Sequence, residues 1–184
     1  MLFVDQVLGG RIACAGPWST AQVHGRQLWR GCRMTPSSSH PVQPVHPGEP
    51  VQKETFSFTG DAVPPPAGAY SHATRWGSTV FLSGQLATDP VTGELVGGGD
   101  LVAEAEQVRR NLEGVLGQFG LTLDDVLMLR VYLTSFDEFD GFNKAYRTWF
   151  RGPLPSRTTV GVTELALGAA VEIDVIAGIP ETAP

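Results

Sequence analysis

Residues 1–54 show no sustained period of apolar positions, whereas from Thr55 onward the pattern becomes regular. TFSFTG alternates and predicts a short strand. AYSHATRW and STVFLSGQL read as two strand-like runs joined at Gly77–Ser78, a two-residue hairpin turn. PPPAG is a rigid connector before them, and DPVTGELVGGGD after them is turn chemistry throughout. Asp100 is placed to cap a helix over LVAEAEQVRRNLEGVLGQFG, in which Val108, Leu112, Val115, Leu116 and Phe119 form one stripe. Gly120 is positioned to end that helix in a left-handed conformation. VLMLRVYLT predicts a strand. FDEFDGFNKAYRTWF predicts a second helix, with Phe139, Phe142, Tyr146 and Trp149 on one face and Gly152–Pro153 as its stop. TTVGV and VEIDVIAG are the last two strands.

The regular order is strand, strand, helix, strand, helix, strand, strand. It predicts a single α+β domain over residues 55–184, a mixed sheet with both helices on one face. Several strands are apolar on both sides, and so small a chain has nothing left to cover the second face. Oligomerisation through that face is the physical expectation.

Charge divides the chain in the same place. Residues 1–54 carry five Lys/Arg and three Asp/Glu, whereas residues 55–184 carry eight and sixteen, or −8 for the domain. No basic stripe offers itself to nucleic acid, and no run approaches the ~20 apolar residues of a membrane span. MTPSSSHPVQPVHPGEP predicts a disordered extension through residue 54. Met34 opens that stretch, so residues 1–33 read either as an over-extended start or as a genuine unstructured extension. Both cysteines, Cys14 and Cys32, lie before the domain. A thiol nucleophile or thiolate zinc site is thereby excluded within it, and a reducing cytoplasm fits. Its one histidine, His72, argues against a histidine-rich metal site or a Ser–His–Asp triad.

Two charges interrupt the final strands. Arg157 follows Pro155 at a strand entrance and shares a face with Thr159 and Gly161 by alternation. A guanidinium there suits a carboxylate, which it can grip through two parallel hydrogen bonds. The residues alone favour a plainer reading, a surface arginine in a local ion pair. Glu172 shares a face with Asp174 and Ile176. Partly buried, it could orient or deprotonate a water; solvated, it is the polar side of an edge strand. Tyr70 and Ser83–Gly84 stand at strand ends, where Gly84 would let a ligand approach the backbone. Asn143 is a polar position in an aromatic-rich helix. His72 is a possible base or a structurally satisfied histidine.

Taken in order, GAYSHA, FLSGQL, DPVTGEL, LRVYLTSFDEF, FNKAYRTWF, PSRTTVGV and VEIDVIA resemble the RidA/YjgF family of reactive-intermediate deaminases, from about Thr55 to Gly178. The resemblance implies a chorismate-mutase-like fold assembling as a homotrimer, sheets inward, with ligand clefts between subunits. It implies hydrolysis of 2-imino and 2-enamino acids, such as 2-aminoacrylate, to 2-keto acids and ammonia without metal or cofactor. By position, Arg157 then matches the carboxylate-binding arginine and Glu172 the water-activating glutamate. Tyr70, Ser83, Gly84 and Asn143 match residues lining the ligand cleft. Thr159 stands where many members have cysteine, and Ala69 replaces a proline often found before Tyr70. Two other readings remain: a ligand-binding or regulatory trimer without turnover, and a ribonuclease or translation inhibitor, which the −8 charge disfavours.

Overall fold

The computed structural model describes residues 50–181. The expectations for residues 1–49, including the extension, the cysteines and a start at Met34, lie outside the described residues. Six strands and two helices follow in the order β1 (Lys53–Phe56), β2 (Ala73–Trp76), β3 (Thr79–Gln85), α1 (Leu101–Gly117), β4 (Val126–Leu133), α2 (Phe139–Arg147), β5 (Ser156–Gly161) and β6 (Val171–Gly178). The sheet runs β1-β2-β3-β6-β4-β5. Only β4 and β5 pair in parallel; every other neighbour is antiparallel. The sheet is therefore mixed, as the order of elements predicts.

Insertion of β6 between β3 and β4 makes those two strands parallel across it. Each helix is then a crossover between parallel strands, and both lie on the same side. The face they cover takes Val171, Ile173, Val175 and Ala177 of β6, all at most 1% exposed. The stripe Val108, Leu112, Val115, Leu116 and Phe119 is buried against this face. Asp100 caps α1, its Oδ1 accepting from the Ala103 N–H at 2.8 Å, a contact that contributes about 1 kcal/mol. Gly120 adopts φ +69° and closes the helix end, as expected.

β1 spans Lys53–Phe56 rather than TFSFTG, so ordered structure begins before the boundary expected at residue 55, and β2 and α2 are shorter than their sequence patterns. β2 starts at Ala73 because a tight turn, Tyr70 N–H to Gly68 carbonyl at 3.0 Å, occupies the residues before it. α2 stops at Arg147, ahead of Gly152–Pro153. The Thr148 hydroxyl donates to the Ala145 carbonyl at 2.7 Å, drawing off an acceptor of the last turn. Trp149 and Phe150 remain buried beyond it.

The face away from the helices carries exposed apolar side chains. Trp76, Phe81 and Val160 stand there at 54%, 43% and 40% exposure, so the two-sided pattern of the strands corresponds to a surface this chain does not cover itself. Among the described residues, no helix is long and apolar enough to cross a membrane.

Candidate functional site

Arg157 is in register with Leu129 of β4, which in turn faces Val175 of β6. It therefore projects on the helix-covered side, at the outer strand, where α2 receives it. Its Nη2 donates to Asn143 Oδ1 at 2.8 Å. Its Cζ lies 4.5 Å from the Tyr146 ring centroid and 5.6 Å from that of Phe142. The aromatic faces attract the cation and fix its plane. Asn143 can present only its oxygen to a guanidinium, which has no acceptor. Among the described residues no carboxylate pairs with Arg157. A local ion pair is therefore not its role here. Two buried hydroxyls on this side, those of Tyr146 and Thr159, have no hydrogen-bond partner among the described residues.

Glu172 belongs to the other side. It is in register with Tyr132, three residues along β4 from Leu129, and an odd step along a strand reverses the face. It lines a cleft of about 520 Å³ together with the Pro64–Pro66 connector, Tyr70, Ser83 and Gly84. The cleft exists because of a β-bulge. From Leu82 to Gln85, β3 takes three steps while β6 takes two, from Val175 to Ile173. The extra residue turns the Ser83–Gly84 backbone onto Glu172, and a Cβ on Gly84 would overlap the Glu172 carboxylate. Ser83 Oγ donates to the Ser71 carbonyl at 2.7 Å, and Gln85 Nε2 to the Ser83 carbonyl at 3.1 Å, so both sides of the bulge are held. The Tyr70 hydroxyl accepts from the Ala67 N–H at 3.0 Å, tying the tyrosine to the proline connector.

Burial pushes the Glu172 carboxyl above the usual carboxylate range, and the Asp174 charge adds to the shift. Asp174, two residues on, is held by Arg130 Nε at 2.8 Å and the Tyr132 hydroxyl at 3.1 Å. Its charge is partly compensated by Arg130, and Tyr132, which also stands in register with Glu172, links the two acids, so Asp174 is a partner in this cluster rather than an idle surface acid.

His72 is structural. It is 1% exposed. Its Nδ1 accepts from the Phe58 N–H at 2.9 Å and its Nε2 donates to the Pro64 carbonyl at 2.8 Å. Both ring nitrogens are used, which leaves none for proton transfer. Among the described residues no three His, Cys, Asp or Glu side chains are grouped closely enough to hold a metal ion.

The expected site residues thus fall into two groups. Arg157, Asn143 and Thr159 share one side of the sheet; Glu172, Tyr70, Ser83 and Gly84 share the cleft on the other. Within one chain the two groups do not meet. Tyr146 reads in the sequence as core alone. Its spacing of three from Asn143 on α2 is the signal that could have placed it beside the arginine.

The family described as Endoribonuclease L-PSP matches residues 60–179, which contain both groups. The chain belongs to the RidA/YjgF family. Protein DfrA of Myxococcus xanthus is 43% identical over 119 residues, which is 64% of this chain and 90% of that relative. A 2-iminobutanoate/2-iminopropanoate deaminase of Dermatophagoides farinae is 38% identical over 113 residues, 61% of this chain and 88% of the relative. The crystal structure of RidA from an Antarctic Psychrobacter superposes with a TM-score of 0.64 at 37% identity, over 68% of this chain and 99% of that one. In this RidA/YjgF chain the bulge at Ser83–Gly84 and the arginine seat on α2 are the two features around which the candidate site residues gather.

Proposed function

We propose that the protein is a hydrolytic deaminase of 2-imino and 2-enamino acids, 2-aminoacrylate among them, working as a homotrimer with its site between subunits. The observation that carries this reading is the division of the site. Among the described residues Arg157 is a seated cation without a carboxylate, and Glu172 is a cleft carboxylate without a cation, on opposite faces of the same sheet. Each half is completed when one chain's arginine side meets the next chain's cleft. Such head-to-tail contacts close into a ring, and a homotrimer is the closed form we propose. Relatives such as the Dermatophagoides farinae protein bear the name of an imine deaminase.

In this reading Arg157 takes the substrate carboxylate through two parallel hydrogen bonds, with Asn143 and the Tyr146 ring holding the guanidinium in plane. The unpartnered hydroxyls of Tyr146 and Thr159 are available to the same ligand. The bulge offers the Ser83–Gly84 backbone to the substrate, and Tyr70 closes the wall. An enamine first tautomerises to its imine. The protonated imine carbon is already electrophilic, so catalysis requires a positioned water. Glu172 accepts a proton from that water as its oxygen bonds to the imine carbon. Glu172 returns that proton to nitrogen, and as the C–N bond breaks it takes the hydroxyl proton of the carbinolamine, so ammonia and a 2-keto acid leave and the glutamic acid then gives its proton to ammonia or solvent. A carboxylate whose proton affinity is raised by burial suits both transfers.

A coupled assay tests the reading. 2-Aminoacrylate is generated in situ and keto-acid release is followed above the spontaneous rate. The wild-type protein is expected to accelerate release, and Arg157→Ala to lower that acceleration about 100-fold. Equal rates for the two proteins sink the deaminase reading. Ligand binding without acceleration would move the function to a non-catalytic binding trimer.

A further inference from the structure

Leu167 is the one non-glycine residue with positive φ among those described, at φ 60° and ψ 8°. An L-residue with a full side chain is disfavoured there, because its Cβ crowds the following carbonyl. Its side chain is also 60% exposed, and it stands at the wall of the Glu172 cleft. Two unfavourable features thus coincide at one residue beside the candidate site, the pattern expected where backbone strain serves function.

The strain is held in place by its surroundings. Gly168 N–H donates to the Leu165 carbonyl and Ala169 N–H to the Ala166 carbonyl, each at 3.2 Å, closing a tight turn around Leu167. The base of the turn is tied to the body of the protein. Glu104 is fully buried, and its Oε2 accepts from the Ala170 N–H at 2.7 Å. The Ala170 carbonyl accepts from the Thr134 N–H at 3.1 Å. The turn is therefore rigidly aimed, and it presents a branched apolar side chain to the cleft wall.

The rest of the wall agrees in chemistry. Pro65, Leu86 and Ala166 line the same cleft, and Glu172 is the one Asp, Glu, Lys or Arg among its lining residues. His72, also at the wall, has both nitrogens engaged. A charged substituent entering here would find no opposite charge except the carboxylate needed for water. An aliphatic one would remove Leu167 and its neighbours from water.

We infer that Leu167 is a specificity-determining residue that selects 2-imino acids with a branched aliphatic side chain over the smallest ones. This rests on the deaminase reading above. The left-handed turn exists to aim Leu167 at the substrate side chain, while Arg157 of a neighbouring chain would fix the carboxylate.

The test uses full-length protein and imino acids made in situ from leucine and from alanine with an amino-acid oxidase. The quantity read is the ratio of kcat/KM for the leucine-derived imine to that for the alanine-derived imine. Wild type is expected to favour the leucine-derived imine. In Leu167→Gly and in Leu167→Asn the ratio falls about tenfold, since lost apolar contact of this size changes discrimination by that order. Glycine and asparagine both tolerate the left-handed backbone, so neither variant is expected to fail in folding. A ratio within about twofold of wild type in both variants overturns the inference and leaves the deaminase reading intact. So does a wild type that favours the alanine-derived imine. A wild type that accelerates neither imine removes the deaminase reading itself, and the inference with it.

Discussion

Arg157 and Glu172 stand on opposite faces of one sheet. Arg157 aligns with Leu129 of β4, and Glu172 with Tyr132 of the same strand. Three residues separate those positions, so the two side chains leave the sheet in opposite directions. The arginine is seated by Asn143 and the Tyr146 ring, and the glutamate lines a separate cleft.

Glu172 is held at a cost to stability that depends on pH. Burial and Asp174 raise its proton affinity in the folded state. Between the ordinary carboxylate range and this raised value the native state binds the extra proton, so stability falls as pH rises through that window. Glu172→Gln has no charge to bury. It is expected to unfold at a higher temperature than wild type at pH 8, with the difference shrinking towards pH 4, while deaminase activity is lost. Thermal unfolding at the two pH values checks this; a variant less stable than wild type at pH 8 would contradict it.

The acid limb of activity should report the same carboxyl. Its rise with pH is expected above the usual carboxylate range. Asp174→Asn removes the neighbouring negative charge and leaves Arg130 without its carboxylate partner. Both effects favour ionised Glu172, so the limb moves to lower pH. A pH–rate profile identical in the two proteins would remove Asp174 from any influence on the site.

Gly84 carries a steric requirement. A Cβ there would overlap the Glu172 carboxylate across the bulge. Gly84→Ala displaces the Glu172 carboxylate, which can swing into the cleft at little cost to stability. The expected result is a protein that folds with a denaturation midpoint close to wild type and has lost most of its turnover. Unchanged kinetics would mean that Glu172 does not work from this position.

Much of the fold is legible along the chain because its signals are local. The Asp100 cap, the stripe from Val108 to Phe119, the Gly77–Ser78 hairpin and the face alternation of β5 and β6 each depend on neighbours a few residues away. The site is less legible because its decisive relations are long-range. Asp174 has no visible role until β6 is placed beside β4, which brings Arg130 and Tyr132 to it from 44 and 42 residues away. The bulge at Ser83–Gly84 is a mismatch between two strands and has no mark in either alone. Glu104, in the first turn of α1, is buried and anchors the turn carrying Leu167 through Ala170, 66 residues on. That Arg157 and Glu172 diverge follows from β4 pairing β5 in parallel and β6 antiparallel, which alternation within each strand cannot reveal.

The central claim is that one chain's Arg157 works with another chain's Glu172. Arg157→Ala and Glu172→Gln proteins, each inactive alone, are co-expressed with different tags, and oligomers carrying both tags are isolated. In every mixed ring of three, one interface pairs an intact arginine side with an intact cleft, so about a third of wild-type turnover is expected to return. Mixed oligomers as inactive as either parent would contradict a site shared between subunits.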